Sequence, residues 1–147
     1  MEKILCLDVG EKRIGIAVSD LLRLTAQPLY TLKRKNTKDA IREICDIIQR
    51  ESIKKAVIGL PKNMDGSEGF QAEITKKFSE TLKEHADIEI IFWDERLTSA
   101  LAKRSLSHMK IGKAKEKNLI DTAAAVHILQ SYLDRINMNK EEATNGK

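Results

Sequence analysis

The sequence predicts one α/β domain whose core is a mixed five-stranded sheet flanked by helices. Residues 3–9 and 13–19 are apolar runs parted by the turn "GEK", a hairpin pattern. Later apolar runs at 55–60 and 88–93 alternate with segments of helical periodicity, as parallel crossovers do. No composition break or linker divides the 147 residues, which suffice for one domain with a real core.

Residues 29–33 supply a third strand after a bend at Pro28, completing an antiparallel meander of strands 1–3. "TKDAIREICDIIQRE" (37–51) has apolar residues at 40, 41, 44, 47 and 48, a helical spacing, with Thr37 as N-cap. "KAVIGL" (55–60) is a buried strand stopped by Pro61, and "PKNMDGSEG" (61–69) is a loop by composition. The next helix, 70–85, repeats apolar residues at 70, 74, 78 and 82, with Ser67 as a candidate cap or its free amides as a phosphate seat. Strand 88–93 leads into "DER". Residues 98–106 read as helix, 110–117 as a mobile basic loop and 118–136 as the last helix. Residues 1–136 thus form the domain, and 137–147 a polar, disordered tail.

Composition narrows the function. Lys and Arg number 26 against 22 Asp and Glu, so the net charge of +4 permits a polyanionic partner. Basic residues concentrate at 32–38 and 103–117, either as solvated surface or as phosphate contacts. Aromatics are only 4%, which disfavours a binding mode built on stacked bases. Cys6 and Cys45 lie far apart with no Cys-x-x-Cys, and read as buried thiols rather than a disulfide or zinc site. His85, His108 and His127 have no metal-ligand spacing, and His127 reads as a packed helix residue. No run is long and apolar enough to span a membrane and no signal-peptide pattern opens the chain, so the expected location is the cytoplasm.

Sites in open α/β sheets gather outside the carboxyl ends of strands. Asp8 ends the first strand, Asp94 and Glu95 end the last, and Asp121 opens the final helix. Each has a structural alternative. Asp8 can satisfy turn amides near Gly10. Asp94 or Glu95 can pair with Arg96. Asp121, with Asn118 as N-cap, can complete a capping box. Together they suggest more. A close group of carboxylates needs a cation or raised pKa values. Mg²⁺ or Mn²⁺ suits oxygen ligands, and such ions activate water and stabilise the leaving oxygen of a phosphodiester. Adjacent strand residues face opposite ways, so only one of Asp94 and Glu95 faces Asp8, and geometry alone does not choose.

"LDVGEKRIGIAVSD", "VIGLPKNMDGSEG", "WDERLTSA" and "IDTAAAVHILQSYL", in that order, resemble the YqgF/RuvX family of pre-16S rRNA nucleases, also described as Holliday-junction-resolvase-like. The four blocks cover the chain from about residue 3 to residue 134. The resemblance implies a ribonuclease-H-like fold and a metal-dependent endonuclease with Asp8, Glu95 and Asp121 as catalytic acids and metal ligands. By position it also singles out Arg13, Gly59, Pro61, Asn63, Gly66, Arg96 and Thr98. Arg13, Asn63 and Arg96 are expected at the substrate, with Lys103, Arg104 and Lys113 of the basic segment holding its backbone. Arg13 and Arg96 could instead hold the carboxylates in place. Junction resolvases of the wider superfamily carry a second acid one turn along the final helix. Here those positions are Ala124 and Ala125, which weighs against junction cleavage more than against hydrolysis.

The expected function is therefore Mg²⁺- or Mn²⁺-dependent RNA endonuclease activity in 5′-end maturation of pre-16S rRNA, with structured RNA, a ribosomal-subunit context and a homodimer as candidate partners. A DNA junction resolvase would use the same chemistry. A non-catalytic assembly factor would bind RNA without the acids. A nucleotide phosphotransferase is the remotest alternative, since the chain has one such domain and no Gly-x-x-x-x-Gly-Lys-Ser/Thr loop.

Overall fold

The computed structural model describes residues 2–97 and 113–145. The elements are β1 (Ile4–Val9), β2 (Arg13–Ser19), β3 (Ala26–Lys33), α1 (Thr37–Arg50), β4 (Lys55–Leu60), α2 (Phe70–His85), β5 (Glu89–Asp94), a 3₁₀ turn (Glu95–Leu97) and α3 (Lys113–Asn145). The strands form one sheet in the order β3-β2-β1-β4-β5. The β1–β2 and β2–β3 pairs are antiparallel, and β1–β4 and β4–β5 are parallel, so the expected mixed sheet is the one found.

Strand periodicity divides the core into two layers. Leu5, Leu7 and Val9 of β1, Ile14, Ile16 and Val18 of β2, and Ile58 of β4 face α1 and α2, meeting Ile41, Ile44, Ile47, Phe78 and Leu82. Ile4, Cys6, Ala17 and Val57 face the other way, against Ala125, Ile128, Leu129, Tyr132 and Leu133 of α3. Among the described residues, α1 and α2 cover one face of β1 and α3 covers the other.

The structure corrects several sequence expectations. β3 begins at Ala26, and Pro28 lies inside it, at a bulge where the register shifts between Ile16 and Ala17. An edge strand tolerates this, because proline's missing donor faces away from the ladder. The N-cap of α1 is Asn36 rather than Thr37: its side chain accepts from the Asp39 amide at 2.8 Å. The cap of α2 is Gly69, with no side-chain bond, so Ser67 does not cap it. β5 is shifted by one residue, to Glu89–Asp94. The final helix starts at Lys113, within the segment expected to be a loop, and runs to Asn145, through the expected tail. Lys, Ala and Glu are good helix formers, and their propensity outweighs the lack of an apolar stripe. The helix expected over 98–106 lies outside the described residues.

Candidate active site

Asp8 stands at the carboxyl end of β1, in the central position of the sheet. Alternation along the strand puts it with Ile4 and Cys6, on the α3 face. Its antiparallel partner on β2 is Gly15, which in turn pairs with Thr31 of β3. On the other side, one residue past the paired Leu7 and Ile58, Asp8 stands beside Gly59 of β4. Both flanking positions are glycines, which add no side chain of their own beside the carboxylate.

Glu95 approaches that row from β5. Ile91 and Trp93 pack on the α3 face, and Glu95 continues their alternation into the 3₁₀ turn. Its carboxylate lies over Gly59: a Cβ there would meet Glu95 Oε1 at 2.8 Å and its Cγ at 3.2 Å. Beneath them the Cys6 thiol is pushed well up, first by burial and then by the charges of Asp8 and Glu95. Two carboxylates, one from β1 and one from the turn after β5, thus bear on the same buried thiol. Position-by-position alternation left Asp94 and Glu95 equivalent. The structure separates them, with Glu95 on the Asp8 face.

Asp94 instead takes Arg96. The guanidinium donates to both Asp94 oxygens at 3.1 Å from Nε, and at 2.7 Å from NH2 to Oδ2. The Arg96 amide adds a bond to Asp94 Oδ1 at 3.0 Å. The pairing with Arg96, above all, holds the Asp94 carboxyl below its ordinary value. Arg96 also reaches the Met64 carbonyl, at 3.3 Å. That carbonyl belongs to the loop after β4. Within the loop the Gly66 amide donates to Asn63 O at 2.9 Å, and Gly66 sits at φ +89°, which glycine adopts without strain. Asn63 Nδ2 donates to Ser67 Oγ at 3.0 Å. Asn63 and Arg96, expected at the substrate, thus have internal partners that fix this loop beside Glu95.

Asp121 lies in α3 about two turns from its start, so neither an N-cap at Asn118 nor a capping box accounts for it. The backbone of α3 brings it to the same row of the sheet. The next residue, Thr122, hydrogen-bonds through its hydroxyl to Thr31, which lies in line with Gly15 and Asp8. One turn further, Ala125 is fully buried against Ile4, Cys6 and Val57, where an acid would have apolar neighbours. The Asp121 side chain lies outside the described set. Among the described residues no three His, Cys, Asp or Glu side chains gather as a metal cluster, and Asp8 and Glu95 are two of the three predicted ligands.

Arg13 opens β2 on the Asp8 face. Lys113 is the first residue of α3, while Thr98, Lys103 and Arg104 lie outside the described residues. Both cysteines are free thiols, but only Cys6 is buried as expected; Cys45 is half-buried, and burial lowers the pKa of half-buried His127. No helix among the described residues is long and apolar enough to cross a membrane. The flanking Gly15 and the Thr31–Thr122 bond escaped sequence reading. Strand register across the hairpin was the signal that could have found them.

Comparison with known proteins agrees with this architecture. The chain superposes on Thermus thermophilus RuvC in complex with a Holliday junction substrate with TM-score 0.63 at 10% identity, covering 95% of this chain and 97% of that one. The Fowlpox virus resolvase, in complex with junction DNA, matches with TM-score 0.53 at 15% identity over 91% and 98% of the two chains. The fold is thus the ribonuclease-H-like fold of the resolvases, and the protein is of the class that hydrolyses phosphodiester bonds. Within that class the chain belongs to the RuvX family, whose model, described as a Holliday junction resolvase, matches residues 2–135. A relative from Sulfurihydrogenibium sp. is 50% identical across 99% of this chain and 98% of its own. One from Clostridioides difficile is 49% identical across 90% and 94%. Both carry the name "Putative pre-16S rRNA nuclease".

Proposed function

We propose that the protein is a divalent-metal-dependent endonuclease of RNA that acts in the cytoplasm on the 5′ end of pre-16S rRNA. The observation that carries this reading is the approach of Asp8, at the end of β1, and Glu95, just past the end of β5, from either side of Gly59 on the intervening β4. The naming of relatives near 50% identity as pre-16S rRNA nucleases supports RNA as the substrate. The donors fit a hard cation. They are carboxylate oxygens, and the neighbouring sulfur, Cys6, is held protonated by burial and by those two charges. Asp8, Glu95 and Asp121 would hold Mg²⁺ or Mn²⁺. The chemistry such an ion supplies is activation of water and neutralisation of charge on the leaving oxygen.

The chain's own residues do the rest. The end of β1 holds Asp8, and the turn following β5 holds Glu95, so little ordering is needed when substrate arrives. Arg13, Lys103, Arg104 and Lys113 supply positive charge to the phosphate backbone. Arg96 and Asn63 act on position, through the loop they fix.

The test is cleavage of a precursor 16S rRNA 5′ fragment with Mn²⁺ or Mg²⁺, by wild type and Asp8→Asn. Cleavage by wild type alone, with circular dichroism of the variant unchanged, is the expected outcome. Wild-type turnover by Asp8→Asn would remove Asp8 from the site. A four-way DNA junction run in parallel decides between RNA and the junction substrate in the family's description.

A further inference from the structure

Arg13 and Lys33 are cross-strand partners at the open end of the β2–β3 ladder. Their neighbours fix the face they occupy. Ile14 and Leu32, next along, are buried in the α1–α2 layer. Gly15 and Thr31, two along, stand in line with Asp8. Arg13 and Lys33 therefore lie on the Asp8 face, one pleat, about 7 Å, beyond its row. Like charges directly opposite one another destabilise a sheet. Neither side chain has an acidic partner among the described residues.

Neighbouring Arg34 shows the contrast. It donates to Gly10 O at 3.1 Å and Thr37 Oγ1 at 3.2 Å, and its guanidinium covers the Phe78 ring at 5.0 Å. Arg34 is thus a structural cation. On the other flank of the site Arg96 is neutralised by Asp94. Among the described residues, Arg13 and Lys33 place unpaired positive charge on the β2–β3 side of the carboxylates, with Lys62 on the opposite side near Asp94. Lys12 and Lys35, both exposed at the same end of the hairpin, extend the charge on the β2–β3 side, with Glu11 the one acid in that turn.

We infer that Arg13 and Lys33 form a two-pronged phosphate grip that takes the substrate strand on the β2–β3 side of the scissile bond. The inference rests on the reading of Asp8 and Glu95 as the hydrolytic centre, and adds Lys33 and a direction to it. A strand whose phosphodiester sits at the carboxylates meets the two cations one pleat beyond the Asp8 row, past the point where Thr122 of α3 contacts Thr31. The repulsion between them is relieved when a phosphate lies between.

The experiment measures binding apart from cleavage. Fluorescence anisotropy of a labelled pre-16S 5′-leader RNA is followed over a range of salt, in EDTA, with the Asp8→Asn protein. Arg13→Gln, Lys33→Gln and Lys33→Glu are then added to that background, and each is melted without RNA. Each glutamine variant should weaken binding and reduce the log–log salt slope by about one. Lys33→Glu should weaken it most, while its melting temperature rises, because the new carboxylate pairs with Arg13 across the ladder. Unchanged affinity and slope in all three would overturn the grip. So would binding losses that track falling melting temperatures, which would make the pair structural. Wild-type protein that binds this RNA but cleaves neither it nor a DNA junction would instead refute the hydrolytic reading, with the grip intact.

Discussion

A methyl group at position 59 would stand 2.7 Å from Ile128 Cδ1 and 2.8 Å from Glu95 Oε1. Real Cβ atoms do not approach so closely, so Gly59→Ala must displace one neighbour or both. The two collisions have different consequences. Pushing Ile128, which is buried, is overpacking, at a cost of about 1–3 kcal/mol. Pushing Glu95 moves a carboxylate of the site. The pair can be separated with Ile128→Val, which removes the Cδ1 atom and leaves Glu95 as the remaining obstacle. Gly59→Ala is expected to lower both melting temperature and cleavage rate. Gly59→Ala with Ile128→Val is expected to recover melting temperature while cleavage stays low. Recovery of both together would show that Gly59 matters only for packing. Gly10 is fixed for a similar reason, since a Cβ there would lie 2.7 Å from the Arg13 carbonyl that accepts the Gly10 amide. The hairpin that carries Asp8 and Arg13 is closed by that contact.

At the scale of the element, Glu95 is held by the residues on either side of it. Asp94 accepts the Arg96 amide and guanidinium, and Arg96 ties the strand end to the Met64 carbonyl. An ion pair this exposed contributes little to global stability, of order 0.2–1 kcal/mol. Its local effect is larger, because the loop after β4 has few other anchors. Arg96→Gln and Asp94→Asn should each speed hydrogen exchange at the Gly66 and Ser67 amides, and the double variant should be no worse than either single one. If Arg96 contacts substrate instead, its effect will appear as a raised KM that persists in the Asp94→Asn background. The pH dependence follows from the sign of the Asp94 shift. Its folded pKa is depressed by Arg96, so the contribution is complete above the unfolded value near 3.9 and is lost as pH falls through the lower folded value. Exchange at these amides, corrected for its intrinsic rate, should therefore be flat from neutral pH down to about 5. Sequence reading located this turn but could not orient it. All four of Ile90, Ile91, Phe92 and Trp93 are apolar, so β5 has no alternation to say which face is inside. The strands β1 and β2 were legible for the opposite reason, being unbroken apolar runs joined by a tight turn. The start of α3 was not, because helix propensity without an apolar stripe resembles a charged loop on paper.

Across the whole molecule, the proposed site needs Asp121 of α3 beside Asp8 of β1, and the packing of α3 sets how the helix lies on the sheet. Leu129 and Leu133 are fully buried against the sheet. Gln130 accepts the Ala26 amide at 2.9 Å and donates to Leu24 O at 3.0 Å, and Asn137 Nδ2 donates to Arg23 O at 3.1 Å. These contacts hold the carboxyl-terminal half of the helix to the β2–β3 connection. Nearer Asp121, the Thr31–Thr122 hydroxyl bond joins α3 to the row of Asp8. Stability and alignment therefore reside in different residues. Leu129→Ala empties a fully buried position and is expected to cost about 2–5 kcal/mol. Thr122→Val leaves the helix packed and removes the hydroxyl bond to Thr31, a loss of about 1 kcal/mol. If α3 serves to aim Asp121, Thr122→Val should reduce kcat and raise the metal concentration needed for half-maximal activity far more than its stability loss explains. Leu129→Ala, assayed well below its melting temperature, should retain the higher kcat of the two. The comparison is made by chemical denaturation of both variants beside cleavage assays titrated with Mn²⁺. A Thr122→Val enzyme with wild-type kcat and metal dependence would mean that the helix is aligned by its buried leucines alone, and that the threonine pair only joins helix to sheet.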